Sequence, residues 1–215
     1  MKSGFSLSEE EKALARLPFA SRKGWTVTMD AMLDALHARA YEETVKRNEW
    51  VDTATLHATA ERIAISAFRF FLTKTDIMKD ITFDIDEVLD MEGETGAYVL
   101  YTNARIKAVL AKVGMWGSDI HTAAPLLTHP VEIALIKKID ELSGVVQEVI
   151  SQLAPHLLNR YLITACQLFN SYYNEVNISQ SPEAEKLARV TLLEVFGRTL
   201  EHAMTLVGMQ PVERM

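Results

Sequence analysis

Apolar residues recur along this chain at helical intervals, and no stretch shows the two-residue alternation of a half-buried strand. The clearest stripe follows His129-Pro130, where proline suits a first helical position. There Leu135, Ile139, Leu142, Val146, Val149 and Leu153 recur at intervals of 4, 3, 4, 3 and 4. Lys137, Lys138, Asp140, Glu141 and Gln147 fall mostly off that stripe, as an amphipathic helix requires. Ala154-Pro155 closes this helix and opens the next, which is predicted to run to about Asn174. Ser181-Pro182-Glu183 reads as an N-cap, a first-position proline and a first-turn acid. Beyond it Leu187, Val190, Leu193, Phe196, Leu200, Ala203, Met204 and Val207 form another stripe, closed by Gly208 as a C-cap. Earlier helices are predicted over 29–48, 52 to about 75, and 97–114. Residues 80–94 and 114–128 read as irregular connectors, the first with a short helical turn. The expected architecture is an all-α helical bundle over 29–215, preceded by an N-terminal segment, 1–28.

Composition narrows the class. The 215 residues are 48% hydrophobic, with only nine Gly and six Pro, which argues against disordered, collagen-like or loop-rich β chains. A single cysteine, Cys166, excludes an internal disulfide framework and suggests a reducing compartment. Apolar runs are short and interrupted by charge, so no membrane span is expected. The N-terminus, MKSGFSLSEEEKALAR, has no apolar core of a secretory signal. The expectation is therefore a soluble, cytoplasmic protein. Its 22 Lys and Arg against 29 Asp and Glu give a net charge of −7. A nucleic-acid binder that relies on phosphate contacts usually shows a basic face, so charge alone argues against one.

Few constellations carry chemistry. The six histidines (37, 57, 121, 129, 156 and 202) fall on separate elements, and no metal site is expected. Cys166 lies between Leu162 and Phe169 on a predicted helix and reads as a buried structural thiol. Asp84/Asp86 and Glu92/Glu94 are carboxylate pairs in a loop, best read as solvated charges. Ser21-Arg22-Lys23-Gly24 is cationic and glycine-terminated ahead of a helix. Such a loop can hold a phosphate through an ammonium and backbone N–H groups. The helix over 97–114 gives a sharper geometric signal. At ~100° per residue, with Tyr98 at zero, Tyr101 sits near about 300° and Arg105 near about 340°. Val99, Ile106, Leu110 and Val113 cluster on an adjacent apolar stripe. Two tyrosines and an arginine thus share a face. That face is either an amphipathic rim of the core or a surface that stacks on unpaired bases.

Five segments, in order, resemble the C-terminal part of arginyl-tRNA synthetases, class I aminoacyl-tRNA synthetases. Ser21-Arg22-Lys23-Gly24, followed by Val27-Thr28-Met29-Asp30 and Leu33-Asp34, is similar to the second class I signature of that family. Phe83-Asp84-x-Asp86 and Leu89-Asp90-Met91-Glu92-Gly93 come next. The most specific block is Gly93-Glu94-Thr95-Gly96-Ala97-Tyr98-Val99-Leu100-Tyr101-Thr102-Asn103-Ala104-Arg105-Ile106. It is similar to the family's Gly-Asp/Asn-Thr-Gly-Pro-Tyr-Leu-Gln-Tyr-Ala-His-Ala-Arg-Ile. Pro155-His156, Tyr161-Leu162 and Phe169-Asn170-x-Tyr172-Tyr173 form a fourth segment, and residues 206–215 a fifth.

The resemblance implies an all-α domain that grips the anticodon arm of tRNA, with Tyr98, Tyr101, Arg105, Tyr173 and Met215 as anticodon-loop contacts. It places Ser21, Arg22, Lys23 and Gly24 in an ATP signature loop, where Lys23 would stabilise the ATP pyrophosphate. The parent enzyme consumes ATP and magnesium, but the nucleotide-binding core with its His-x-Gly-His signature is not in this sequence. The chain alone is therefore not expected to activate arginine or to carry a cofactor of its own. Expected partners are arginine-accepting tRNA and a synthetase catalytic core, with no DNA and no membrane. Ala97, Leu100 and Asn103 stand where the family usually has proline, glutamine and histidine, departures that would alter or relax the pocket. The alternative is a freestanding, synthetase-like helical interaction protein that has lost RNA. A positive strip along Arg105, Lys107 and Lys112 would favour RNA, and a uniformly acidic face the alternative.

Overall fold

The computed structural model describes residues 27–48, 50–114 and 119–213. The Ser21–Gly24 loop, most of the N-terminal segment and Met215 lie outside the described residues. Among the described residues all regular structure is helical. The helices are α1 (Met29–Arg47), α2 (Thr53–Thr73), α3 (Ile85–Val88), α4 (Gly96–Val113), α5 (Ile120–Ala123), α6 (Pro130–Gln152), α7 (His156–Glu175) and α8 (Glu183–Leu206), with single 3₁₀ turns at Ala124–Leu126 and Ile178–Gln180. None of the described helices is long and apolar enough to cross a membrane.

Local chemistry sets where these helices start. The Thr28, Asp52 and Thr95 side chains accept the N–H groups of Ala31, Thr55 and Tyr98, capping α1, α2 and α4. At α6, the Val131 N–H donates to His129 Nδ1 (3.4 Å), while Glu132 reaches back to the His129 N–H at 2.9 Å. The end of α8 is a Schellman turn: Gly208, at φ +78°, donates to Thr205 O, and Met209 donates to Met204 O. Two expectations at helix ends fail. Ser181 does not cap α8, where Pro182 holds the cap position without a side-chain bond. Instead the Ser181 hydroxyl donates to Asn177 O at 2.9 Å and accepts from Arg189. Leu153 leaves the α6 stripe, because it takes the left-handed C-cap conformation (φ +52°) and is 76% exposed.

Packing places α4 at the centre, against α2, α7 and α8, while α1 pairs with α2 and α6 with α7. Fully buried Phe169, Phe196, Leu162, Leu193 and Leu200 join α7 and α8, with the two phenyl rings stacked at 6.2 Å. A smaller cluster under α1 is built from Leu36, Ala64, Phe68 and Phe71, with Phe83 set edge-on to both phenylalanines. Gly96 lets α4 touch α2: a Cβ there would lie 2.8 Å from Ala67 Cα and from Phe70 Cβ. The Thr95-Gly96 portion of the signature block therefore has structural work, since Thr95 caps α4 and Gly96 removes the one atom that would keep the helices apart.

Between α6 and α8 lies a buried ion pair. Glu132 is completely buried, and its carboxylate accepts the Arg189 Nε–H at 2.7 Å. Cys166 is also fully buried, and burial pushes its thiol up to about 12. It is a neutral, structural thiol at physiological pH.

Candidate nucleic-acid interface

Tyr98, Arg105 and Tyr173 meet on one surface. Tyr98 and Arg105 project from α4, two turns apart, and Tyr173 from the last turns of α7. Asn170, one turn before Tyr173, links them. Its amide donates to the Tyr98 hydroxyl at 2.8 Å, and its Oδ1 accepts Arg105 Nη1–H at 3.2 Å. The Arg105 guanidinium then lies 4.0 Å from the centroid of the Tyr173 ring, a stacking cation–π distance. Behind Tyr173 the buried Phe169 ring sits at 6.1 Å, fixing its back face. Tyr173 itself is 41% exposed.

Each polar atom in this chain is directed. The Tyr98 hydroxyl is held above its ordinary range mainly by burial, which opposes ionisation. A neutral phenol accepts from Asn170 and keeps its own proton for a further acceptor. Arg105 spends one N–H on Asn170 and lays its plane on Tyr173, which leaves other guanidinium N–H groups for a ligand. Tyr101 shares the helix face, is half-buried, and makes no hydrogen bond among the described residues.

Lys107 does not join Arg105 in a positive strip. Lys107 points away from Arg105, nearly half a turn round α4, and its Nζ lies 2.9 Å from Glu201 and 2.7 Å from Glu213. Burial alone would lower its pKa, but the two carboxylates outweigh it and hold the ammonium charged and neutralised in place. Lys107 is a tie between α4, α8 and the C-terminal segment. That segment is also held where Arg69 Nη1–H donates to Gly208 O (2.6 Å) and the Gln210 N–H to Ser66 Oγ (2.9 Å), with Met209 and Val212 buried.

The three departures from the family block do not line the tyrosine face. Ala97 and Leu100 are completely buried in the core. Asn103 is 1% exposed, and its amide donates to Glu201 at 3.3 Å on the Lys107 side of α4. They change helix packing, not the stacking surface. Asn170, which the family resemblance does not single out, belongs to the Phe169–Tyr173 segment, and its spacing of three before Tyr173 is the signal in the sequence that marks it. No group of three or more His, Cys, Asp or Glu suited to a metal occurs among the described residues.

The model of the DALR anticodon binding domain matches residues 99–215, from just inside α4 through α8. The chain belongs to that family. It is 34% identical over 199 residues to an arginine–tRNA ligase of Stutzerimonas stutzeri, covering 92% of this chain and 34% of that protein. A Frankia casuarinae arginine–tRNA ligase is 31% identical, covering 92% of this chain and 33% of the relative. Among solved structures, Thermus thermophilus arginyl-tRNA synthetase superposes with a TM-score of 0.80 at 29% identity, covering 88% of this chain and 32% of that one. The Plasmodium falciparum enzyme gives 0.75 at 23% identity, a likeness of fold. The chain thus spans about a third of the length of the relatives it matches. The segment 27–98, which precedes the family match, supplies α1 to α3 and the cap of α4.

Proposed function

We propose that this DALR domain binds the anticodon loop of an arginine-accepting tRNA, as the C-terminal part of an arginyl-tRNA synthetase does. The Tyr98–Asn170–Arg105–Tyr173 chain carries the reading, because it presents a guanidinium stacked on a braced aromatic ring at a surface. Unpaired bases stack on such platforms, at ~1–3 kcal/mol per base. Tyr101 extends the platform, and Met215 is proposed as a further contact. Ligation of arginine, with ATP and magnesium, belongs in this reading to a catalytic core. Ser21, Arg22, Lys23 and Gly24 would contribute the ATP signature loop to that core.

The net charge of −7 suits recognition by stacking more than by phosphate attraction. The test is binding of the 215-residue chain to an arginine-accepting tRNA and to a non-cognate tRNA, at low and moderate salt. Selective binding, weakened by Tyr173→Ala and Arg105→Ala, is expected. Absence of binding at low salt would remove the reading and leave the helical interaction protein, with the search turning to a protein partner.

A further inference from the structure

The C-terminal segment is held by a series of contacts that ends at Lys107. Arg69 donates to Gly208 O, the Gln210 N–H donates to Ser66 Oγ, and Met209 and Val212 are buried, so packing fixes the chain as far as Val212. The next side chain, Glu213, is 82% exposed, and its carboxylate accepts from Lys107 Nζ at 2.7 Å. Among the described residues this is the last hydrogen bond or ion pair before Met215. We propose that Lys107 is a positioning residue for tRNA binding: it does not touch RNA, and it acts by setting the place of Met215. This rests on the anticodon reading, in which Met215 is an RNA contact.

The ammonium is oriented independently of the tail. Lys107 Nζ also lies 2.9 Å from the Glu201 carboxylate, and Glu201 in turn accepts the amide of the buried Asn103 at 3.3 Å. Asn103 and Lys107 stand one turn apart on α4, and Glu201 is on α8, so two packed helices build the anchor that Glu213 meets. The side-chain entropy that weakens most exposed ion pairs is thereby reduced on the lysine side.

The place of the anchor matches the stacking face. Lys107 follows Arg105 by two residues, about 3 Å along the axis of α4, so the tail is pinned at the height of the Arg105–Tyr173 stack. Two residues beyond Glu213 span at most about 7 Å, too short a tether to absorb a displacement of Glu213. Removing the ammonium also leaves the Glu201 and Glu213 carboxylates facing each other, and their repulsion moves the exposed tail in preference to α8. Charge gives Lys107 no second role, because its ammonium is already divided between two carboxylates.

A double-mutant cycle in the 215-residue chain, read as affinity for an arginine-accepting tRNA, is the test. Lys107→Ala is expected to weaken binding about two- to fivefold, the worth of one exposed ion pair, with the slope of log K against log salt unchanged. Lys107→Arg, which can fork onto both carboxylates, should bind as wild type. In a Met215→Ala background, Lys107→Ala should cost nothing further. An equal loss in both backgrounds, as a general loss of structure would give, overturns the proposal. So does a salt slope lowered by about 0.7–0.9, which would make Lys107 a phosphate contact. Wild-type affinity of Lys107→Ala beside weakened binding by Met215→Ala overturns it as well and leaves the Met215 contact standing. If Met215→Ala binds as wild type while Tyr173→Ala does not, the proposal fails and the stacking face remains. No tRNA binding by the wild-type chain would remove the anticodon reading and the proposal together.

Discussion

Arg105 lies with its guanidinium carbon 4.0 Å from the centre of the Tyr173 ring, and the same guanidinium is tethered to Asn170 one turn earlier on α7. The tether fixes the plane of the arginine, and the arginine covers one part of the ring. Removing the tether should therefore cost binding without removing either stacking group. Asn170→Ala is expected to weaken tRNA binding several-fold, with Tyr173→Phe close to wild type because the ring is retained. Equal binding by Asn170→Ala and wild type in a fluorescence titration would show that the tether does not order the platform.

Gly96 predicts a stability effect. An added methyl meets backbone and side chain of α2 at 2.8 Å, and these atoms belong to a buried helix that cannot move far. Gly96→Ala should destabilise by about 1–3 kcal/mol, the usual cost of overpacking, despite alanine's better helix propensity. A thermal or urea midpoint at or above wild type would refute this.

Arg189 and Glu132 are a pair in which the two single changes and the joint change should differ. Arg189→Ala strands a buried carboxylate and is expected to cost about 3–5 kcal/mol. Replacing both residues together, Arg189→Met with Glu132→Leu, should restore most of the loss. Urea unfolding of wild type, Arg189→Met, Glu132→Leu and the double variant measures the coupling directly.

Alkaline pH should expose Cys166. Its folded pKa, about 12, lies above its ordinary 9.0 because burial opposes the thiolate. Stability tied to the neutral thiol is fully present below about pH 9 and is lost as pH rises toward about 12. The buried phenols of Tyr98, Tyr161 and Tyr172 shift upward as well, so they act in the same direction. Cys166→Ala should make the alkaline limb of the thermal midpoint shallower, even if it lowers the whole curve. An identical limb in the variant would assign the loss to the tyrosines alone.

Lys107 should behave as a structural tie. Lys107→Ala is expected to leave the salt dependence of tRNA binding nearly unchanged, because its charge is already paired with Glu201 and Glu213. It should raise amide exchange at Val212 and Glu213. A salt slope lowered by a full charge would instead make Lys107 an RNA contact.

The helix pattern was legible because a 3.6-residue period and capping residues act locally. The stripes of α6 and α8, Pro130 at the start of α6 and Gly208 after α8 all follow from spacing and backbone preference. The face bearing Tyr98, Tyr101 and Arg105 could likewise be drawn from the angle per residue alone. Two local readings failed where the chain turned. Ser181 was drawn away from its cap role by Asn177 and Arg189, and Leu153 was rotated out of its stripe by a left-handed C-cap.

What the sequence determined by itself is the all-α class, the order of the helices and the family motifs, since all of these are carried by residues near one another along the chain. Tertiary structure alone decided which side chains meet. Asn170 joins Tyr98 to Arg105 across 72 and 65 residues of sequence, and Lys107 is turned from a surface cation into a tie by Glu213, 106 residues away. Ala97 and Leu100 face the core, not the ligand, only because α4 is enclosed by α2, α7 and α8. Periodicity fixes the angle of a side chain around its own helix, but the neighbour waiting at that angle is set by how the helices pack.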